Sequence, residues 1–477
     1  MVIVKVHIGT DFMDQFAQPS SAPELLVELD RGAAETLSSQ LERRLRAAVR
    51  AGRLKPGSTL PSTRALASQL GISRGPVVAA YAQLGAEGYL VLSRGAAARV
   101  AESVMPGAES SRPRRSYRVA HNLFPSLPDY GAFPRERWLA SYRRALKAAP
   151  DVELAYGDSR GSEQLRAALV SYLGRVRGVS ASEEHALACS GFASALGLLA
   201  RVLCRSGSRT MGVEDPGHAV IRGIVERAGL RPVPIAVDDE GIDVDALVAA
   251  SPDAVLVTPA HQFPTGVVLS PERRTRLLDW AASTGALVAE DDYDAEFRYD
   301  RPAVGALQGL APERVAYLGS TSKTLAPGLR LGWLVAPSRL VRALVDEVLY
   351  TVITPPRLEQ LAFADFLERG ELDRHLRRMR LRYRKRRDVL VGALARELPE
   401  LEMRGVAAGL HVFAVLPPGS DEQRLLAAAR GRGIGLTGLT EHAIRPPREQ
   451  ALVLGYALSP EPALRAAVRE LAAAFSA

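Results

Sequence analysis

Seven short runs of the chain are apolar at every position, and stretches with helical spacing of apolar residues separate them. A strand with one face in water alternates apolar and polar residues, whereas a strand covered on both faces reads as a continuous apolar run. The pattern therefore predicts an α/β domain built on a largely parallel sheet. The runs are residues 186–189, 211–213, 233–237, 254–257, 286–289, 315–318 and 333–336.

The charge of the chain is concentrated in one segment. The formal net charge is +8 over 477 residues, and residues 31–120 contain 15 Lys and Arg against 5 Asp and Glu. The length is about three times the ~150 residues of a typical domain, so two or three domains are expected. A basic segment beside a nearly neutral body suggests a module that binds a polyanion, and a solvated arginine-rich surface is the alternative.

The basic segment has the pattern of a winged helix-turn-helix. Apolar spacing predicts a helix from about Leu37 to Gly52, a second helix capped by Ser62, and a third capped by Ser73. Residues 88–92 and 98–101 then read as a short hairpin. Arg64 lies on the second helix and Arg74 opens the third, where the first turn of a recognition helix faces base edges in a major groove.

Residues 51–95 resemble the winged helix-turn-helix of GntR-family bacterial regulators. The resemblance implies that Arg64 and Arg74 contact phosphates and bases and that Arg94 lies in the wing. Ser73, beside Arg74, completes the predicted DNA-binding set. The chain departs from the family pattern at Gly75-Pro76, after the arginine, and in the wing at residues 95–98.

Polar groups suited to pyridoxal phosphate follow several of the apolar runs. Lys323 follows the run 315–318, and Asp291 and Tyr293 follow the run 286–289. A lysine binds the cofactor's aldehyde, a carboxylate keeps its pyridine nitrogen protonated, and a phenol can hydrogen-bond its ring oxygen. Gly191, Phe192 and Ala193, between the first run and a helix, offer backbone donors for a phosphate; Ser320, Ser322 and Arg330 add side-chain donors.

Residues 122–477 resemble fold-type I aminotransferases, and especially the effector domain of MocR-type regulators, in which this domain is fused to a GntR-type module. The matching stretches are 124–138, 156–166, EDPGH (214–218), TPAHQFPTG (258–266), EDDYDAEFRY (290–299) and GSTSKTLAPGLRLGWLV (319–335). The resemblance implies that Lys323 forms the Schiff base, that Asp291 partners the pyridine nitrogen and that Tyr293 lies near the ring oxygen. It implies a phosphate site made of Ser320, Ser322, Arg330 and the amides of Gly191 to Ala193, with His218 stacked on the ring.

Three departures bear on catalysis. Phe263 stands where aminotransferases have an asparagine that tunes the cofactor, and His218 stands where the regulators usually have tyrosine. The carboxylate-binding arginine expected near the last strand is replaced around residues 451–453, with Arg445 and Arg448 as approximate substitutes. The sequence therefore predicts a regulator that is not a turnover enzyme; the alternatives are a functional aminotransferase and a cofactor-free binding module.

The predicted architecture is α/β, with an N-terminal winged helix-turn-helix and a fold-type I aminotransferase-like domain. The expected divisions are an irregular arm (1–30), the DNA-binding domain (31–103), a linker (104–121) and the aminotransferase-like domain (122–477), which has a large mixed-sheet part and a smaller α+β part from about residue 357. The expected partners are double-stranded operator DNA and a small amine, an amino acid or pyridoxal phosphate itself as effector, and the resemblance implies a domain-swapped homodimer.

Other patterns exclude or leave open further functions. Cys189 and Cys204 are the two cysteines, too few for a disulfide framework, and no apolar run is long enough to span a bilayer, so we expect a cytoplasmic protein. No metal site is predicted. The GxGxxG at 433–438 follows a helical stretch and is interpreted as a helix end. The basic run 374–387 is interpreted as a solvated or interdomain helix; the alternatives are a second DNA contact and a docking surface for the basic module.

Overall fold

The computed structural model describes residues 2–7, 24–93, 96–102, 119–300, 304–351 and 354–475, with side chains from residue 29 onward. It divides into two compact units, Met1–Ser116 (unit 1) and Tyr117–Ala477 (unit 2). The predicted linker, 104–121, falls mostly on residues 103–118, which lie outside the described ranges.

The described residues of unit 1 form three helices and two strand pairs. The elements are β1 (Val2–His7), β2 (Glu24–Leu29), α1 (Leu37–Arg50), α2 (Thr63–Leu70), α3 (Arg74–Ala86), β3 (Leu90–Val91) and β4 (Arg99–Val100). The β3 and β4 strands pair antiparallel, and helices α1 to α3 enclose a core that includes Leu41, Leu45, Leu66 and Val77. The predicted three helices and hairpin of a winged helix-turn-helix are confirmed.

Local chemistry explains where these helices begin and end. The Ser62 hydroxyl accepts a hydrogen bond from the backbone N–H of Ala65, as an N-cap does, and Gly71 ends α2 with a φ of 63°. Ser73 occupies the N-cap position of α3, but its side chain makes no capping hydrogen bond. Its hydroxyl is therefore available to another partner.

Two parts of the segment 1–30, for which an irregular arm is expected, form strands, and residues 8–23 between them lie outside the described residues. The β1 and β2 strands pair antiparallel over six residues each, with Val2 opposite Leu29 and His7 opposite Glu24. The β-branched residues Val2, Ile3, Val4 and Val6 favour extended backbone. This run is short and polar residues follow it, so the sequence alone does not predict a strand here.

Unit 2 is built on an eight-stranded mixed sheet in the order β6-β13-β12-β11-β10-β7-β8-β9. From residue 121 to residue 348, the strands and α-helices of unit 2 are β5 (His121–Asn122), α4 (Arg135–Ala148), α5 (Glu163–Arg177), β6 (Ala186–Cys189), α6 (Phe192–Arg205), β7 (Thr210–Asp215), α7 (Ala219–Arg227), β8 (Arg231–Asp238), β9 (Gly241–Ile242), α8 (Val244–Ala250), β10 (Ala254–Val257), α9 (Pro271–Thr284), β11 (Leu287–Asp292), β12 (Val315–Ser320), β13 (Gly332–Val335) and α10 (Ser338–Val348). The five central strands β8, β7, β10, β11 and β12 run parallel, and β13 is antiparallel to both of its neighbours.

All seven apolar runs form strands, and most of those residues are buried because helices cover both faces of the sheet. One boundary differs from the expectation. Glu290, Asp291 and Asp292 are not in the loop after the strand, because β11 continues through Asp292 and all three residues are buried. The predicted α/β class and mixed sheet are confirmed.

The remainder of unit 2 is α+β. It contains α11 (Arg357–Glu368), α12 (Glu371–Glu397), β14 (Glu402–Arg404), β15 (His411–Val415), α13 (Glu422–Gly431), β16 (Ile434–Gly435), β17 (Thr437–Gly438), β18 (Ala451–Gly455) and α14 (Glu461–Phe475). The β14, β15, β18 and β17 strands form a four-stranded antiparallel sheet. The GxGxxG segment does follow a helix, and Gly433, with a φ of 77°, leads into β16.

None of the helices in the described ranges combines the length and the apolar composition that a bilayer-crossing segment requires.

Candidate functional site

A cavity of about 320 Å³ lies in unit 2 at the carboxyl ends of the parallel strands β7, β10, β11 and β12. Open α/β sheets bind ligands at this edge. Nine of the ten residues predicted for the cofactor line the cavity: Phe192, Ala193, His218, Asp291, Tyr293, Ser320, Ser322, Lys323 and Arg330. The tenth, Gly191, adjoins it, because a Cβ atom on Gly191 would lie 3.6 Å from the Arg330 guanidinium.

Lys323 extends from the turn after β12 into the cavity. Its Nζ donates a hydrogen bond of 2.7 Å to the carbonyl oxygen of Ser126. Burial lowers the pKa of Lys323, against the opposing attraction of Asp294 and Asp291. A lowered pKa increases the fraction of neutral amine, which is the form that attacks an aldehyde.

Asp291 lies at the end of β11 with one carboxylate oxygen left without a partner. Its Oδ1 is buried and accepts no hydrogen bond from the described residues. Burial, together with the nearby charges of Asp292, Asp294 and Glu214, raises the pKa of Asp291 well above its usual range. Buried polar atoms are almost always paired, so this atom fits a site for a ligand that carries a protonated nitrogen.

The residues predicted to bind phosphate form a cradle at the start of α6. Gly191 has a φ of 89°, which favours glycine, and the backbone N–H groups of Phe192 and Ala193 open the helix without acceptors inside it. Arg330 also has a left-handed φ of 52° and follows a short turn, so its guanidinium points toward Gly191. Helix N-terminal donors beside an arginine suit a phosphate dianion.

Tyr293 belongs to a hydrogen-bonded chain that sequence reasoning missed. The Tyr293 hydroxyl lies 3.1 Å from Nδ1 of His261, and the same Nδ1 lies 3.0 Å from the Asp294 carboxylate. Burial and the nearby carboxylates of Asp294 and Asp291 raise the pKa of Tyr293 well above its usual range, so the phenol keeps its proton. With the Nδ1 proton of His261 shared with Asp294, the Tyr293 hydroxyl is free to donate into the cavity.

His218 lines the cavity from the N-cap of α7. Its ring centroid lies 5.4 Å from that of Phe263, with a tilt of 38° between the planes. Phe263 also contacts His442 edge to face, with centroids 4.9 Å apart. The position where aminotransferases have asparagine is thus filled by an aromatic cluster.

Sequence reasoning also missed the half-buried carboxylate of Glu214. Its oxygens accept hydrogen bonds from the backbone and hydroxyl of Thr258 and from the Gln262 amide. Burial raises the pKa of Glu214 to about 7. The two motifs that contain these residues were recognised, but no spacing in the sequence shows that β7 and β10 place them side by side.

The anionic end of an amino-acid substrate finds few partners here. Residues 451–453 are buried in β18, and Arg445 and Arg448 do not line the cavity. Arg222 of α7 does line it, with one N–H donated to the carbonyl oxygen of Ala443 at 3.2 Å. The cation available to a ligand carboxylate therefore lies at a position that was not predicted.

One cluster bears on the prediction that no metal is bound. His261, Asp294 and His411 bring three potential ligand atoms within 4.8 Å of one another. His411 Nε2 is 3.2 Å from the carbonyl oxygen of Pro264, and His261 already contacts Asp294 and Tyr293. The absence of a metal stays a prediction.

In unit 1 the predicted DNA-contacting residues lie on or beside two neighbouring helices. Arg64 is exposed on α2, Arg74 is the exposed first residue of α3, and Ser73 precedes it. The Arg74 Nε donates a hydrogen bond of 3.0 Å to the Thr63 hydroxyl, which connects the two helices. Arg94 lies outside the described residues.

Two family models match the chain. "Bacterial regulatory proteins, gntR family" matches residues 37–100, and "Aminotransferase class I and II" matches residues 130–447. Among characterised relatives, the probable rhizopine catabolism regulatory protein MocR of Rhizobium meliloti is 33% identical over 475 residues, which cover 95% of this chain and 96% of that protein. The chain belongs to the MocR-type regulators of the GntR family.

Further similarities agree with this assignment. The pyridoxine biosynthesis transcriptional regulator PdxR of Corynebacterium glutamicum is 32% identical over 460 residues, covering 95% of this chain and 99% of that protein. The crystal structure of Pyrococcus horikoshii kynurenine aminotransferase superposes with a TM-score of 0.69 at 25% identity, covering 76% of this chain and 91% of the enzyme. This MocR-type chain is therefore a transcriptional regulator that combines a helix-turn-helix module with an aminotransferase fold.

Proposed function

We propose that this regulator binds operator DNA through unit 1 and holds pyridoxal phosphate in the cavity of unit 2. One observation carries the cofactor proposal: Lys323 and Asp291 line the same cavity, and the buried Oδ1 of Asp291 has no hydrogen-bond partner there. Lys323 would bind the aldehyde, Asp291 the ring nitrogen, and the cradle of Gly191, Ser320 and Arg330 the phosphate. When bound, the cofactor supplies an electrophilic carbon that amines can attack.

The residues of this chain then govern what reaches that carbon. Tyr293 would donate a hydrogen bond to the ring oxygen, while His218 and Phe263 line the cavity with aromatic surface. An amine, an amino acid or the free cofactor would act as effector. The effector changes DNA binding only if it binds one conformation of the protein more tightly than another.

The cofactor proposal is tested by absorption spectroscopy on protein incubated with pyridoxal phosphate. We expect a visible band that borohydride converts to a stable adduct on Lys323, identified by peptide mapping. Lys323→Ala should lack the band, and Lys147→Ala, which changes an exposed lysine of α4, should keep it. A band that persists in Lys323→Ala would refute the assignment of Lys323. The absence of a band in the wild type would refute cofactor binding and favour a cofactor-free module.

A functional aminotransferase is the second candidate, favoured by the complete set of cofactor residues in the cavity. Steady-state assays with amino donors and keto acids distinguish the two functions. Repeated turnover at a useful rate would contradict a role as a sensor alone. We expect at most a single half-reaction, because Arg445 and Arg448 do not line the cavity and Arg222, which does line it, already donates one N–H to the carbonyl oxygen of Ala443.

We also propose that the regulator acts as a domain-swapped homodimer on two DNA half-sites, as implied by its resemblance to MocR-type proteins. Sedimentation would give a dimer mass, and footprinting would show two protected half-sites separated by whole helical turns. A monomer with a single protected site would contradict this proposal.

A further inference from the structure

The long helix α12 packs against α14, and a groove of about 430 Å³ runs between them. Four cationic side chains line the groove: Arg384, Lys385 and Arg396 from α12, and Arg465 from α14. Asp388 is the single carboxylate that lines it. The groove is remote in sequence from the cofactor residues and shares no lining residue with their cavity.

The arrangement follows from the two faces of α12. The inward face is apolar and buried, as shown by Leu376, Met379 and Leu390. Arg386 of the arginine-rich run 374–387 is buried, whereas Arg384 and Lys385 are exposed on the outward face. The sequence thus uses one helix both to complete the core and to present positive charge.

Several cations of α12 outside the groove pair with carboxylates. Arg374 pairs with Glu371 at 2.8 Å and Arg386 with Asp129 at 3.0 Å. Within the described part of the chain, Arg384, Arg396 and Arg465 form no ion pair. The nearby carboxylates of Glu461, Asp388 and Glu470 pair instead with Lys385, Arg387 and Arg432.

Lys385 is the groove cation that has an acidic neighbour. Its Nζ lies 3.6 Å from the Glu461 carboxylate, and 73% of its side chain is exposed to solvent. A contact of this length at an exposed site contributes little stability and leaves the charge open to another anion. All four cations are therefore available to a ligand.

The spacing of the cations selects the kind of anion. Twelve residues of helix separate Arg384 from Arg396, which corresponds to about 18 Å along the axis at 1.5 Å per residue. Clustered like charges repel one another, and one phosphate group cannot contact cations this far apart. Duplex DNA carries one charge per ~1.7 Å of its axis, so one stretch of backbone can neutralise the whole row.

We propose that the groove between α12 and α14 binds the phosphate backbone of double-stranded DNA, as a second and sequence-independent contact of unit 2. This contact would add to the operator binding proposed for unit 1. It rests on the proposed function in one respect, because both units would bind the same DNA molecule. Contacts to phosphates raise affinity and salt dependence without reading bases.

The test uses the full-length protein and compares two variants of equal charge. The groove variant carries Arg384→Gln, Arg396→Gln and Arg465→Gln. The control carries Arg231→Gln, Arg339→Gln and Arg342→Gln, which change three exposed arginines of unit 2 outside the groove. Binding is measured by fluorescence anisotropy over a range of salt concentrations, with the duplex that the wild type protects and with the same duplex extended at both ends.

We expect the groove variant to lose affinity for the extended duplex by about tenfold or more, and the slope of log K against log salt to fall by about 0.9 for each phosphate contact removed. The control should bind as the wild type does. Equal slopes and affinities for the two variants would overturn the proposal, as would a DNA-independent defect in transcription, which would point to an acidic protein partner.

The same titration separates this proposal from the proposed function of unit 1. Arg74→Ala should reduce the preference for the operator sequence while keeping the salt-dependent binding that the groove supplies. If Arg74→Ala binds normally, the assignment of unit 1 fails while the groove result still stands on the comparison of the two charge-matched variants.

Discussion

The guanidinium of Arg177 donates a hydrogen bond of 2.6 Å to the Asp292 carboxylate, and their side chains are 1% and 2% exposed. The same carboxylate oxygen accepts a hydrogen bond of 2.6 Å from the Tyr317 hydroxyl. Since neighbouring residues of a strand point to opposite faces, this anchor for Asp292 holds Asp291 toward the cavity. Arg177, at the end of α5, therefore fixes a residue of the candidate site that it does not touch.

Removal of Arg177 should destabilise unit 2 strongly. Arg177→Met leaves the Asp292 charge buried without its cation, and we expect the free energy of unfolding to fall by about 3–5 kcal/mol. Chemical denaturation monitored by tryptophan fluorescence gives the value. In the control Arg276→Met, the exposed ion pair with Asp245 is lost, and a far smaller effect is expected. Comparable losses in the two variants would contradict the role of the buried pair.

The Asp291 carboxylate should lower the free energy of unfolding when no cofactor is bound, and cofactor binding should offset this loss. The raised pKa means that the folded chain without cofactor disfavours the ionised form, so its stability falls as pH rises above the ordinary pKa of the carboxyl. At pH 8 the free energy of unfolding of Asp291→Asn should therefore exceed that of the wild type by about 1–3 kcal/mol, so the variant melts at a higher temperature. At pH 5 the difference should be smaller.

The cofactor should reverse that order. Asp291→Asn is expected to bind pyridoxal phosphate more weakly, because the amide cannot hold a proton on the ring nitrogen. Thermal melts with and without cofactor measure both effects, and Asp245→Asn is the exposed control. If Asp291→Asn is less stable than the wild type at pH 8 without cofactor, the buried Asp291 carboxylate does not destabilise the folded chain and this prediction is wrong.

Much of this site could be predicted from the sequence because its residues follow apolar runs. Residues 186–189 and 254–257 form strands with the expected bounds, and Asp291 and Lys323 line one cavity because parallel strands end at the same edge. The contact between His261 and Asp294 could not be predicted. It requires β10 and β11 to be neighbours, and strand order is set by packing of the whole sheet and not by any local pattern.

His261 should position the Tyr293 hydroxyl. His261→Phe removes the contact at 3.1 Å, so the phenol no longer has a fixed orientation toward the cofactor's ring oxygen. A donated hydrogen bond stabilises negative charge on that oxygen, so its loss should raise the pH at which the absorption band of the Lys323 adduct changes.

Absorbance titration of the cofactor-loaded variants measures this shift. Tyr293→Phe should show the same direction and a larger size, while His185→Phe, which lies outside the cavity, should titrate as the wild type does. An unchanged titration in His261→Phe, with Tyr293→Phe shifted, would show that Tyr293 is held by other contacts.

Arg74 should account for sequence recognition by unit 1. It is exposed at the first position of α3, and Ser73 before it leaves its hydroxyl uncommitted. Arg74→Ala is expected to weaken operator binding by about 1–3 kcal/mol and to relax specificity. Cofactor binding should be unchanged, because Arg74 belongs to unit 1 and the residues that line the cofactor cavity belong to unit 2. Arg43→Ala is the control, since the Arg43 guanidinium is already paired with Glu35 at 2.7 Å. Gel-shift titrations at one stated salt concentration compare operator and scrambled duplexes, and equal affinity of Arg74→Ala and wild type for the operator would refute the assignment.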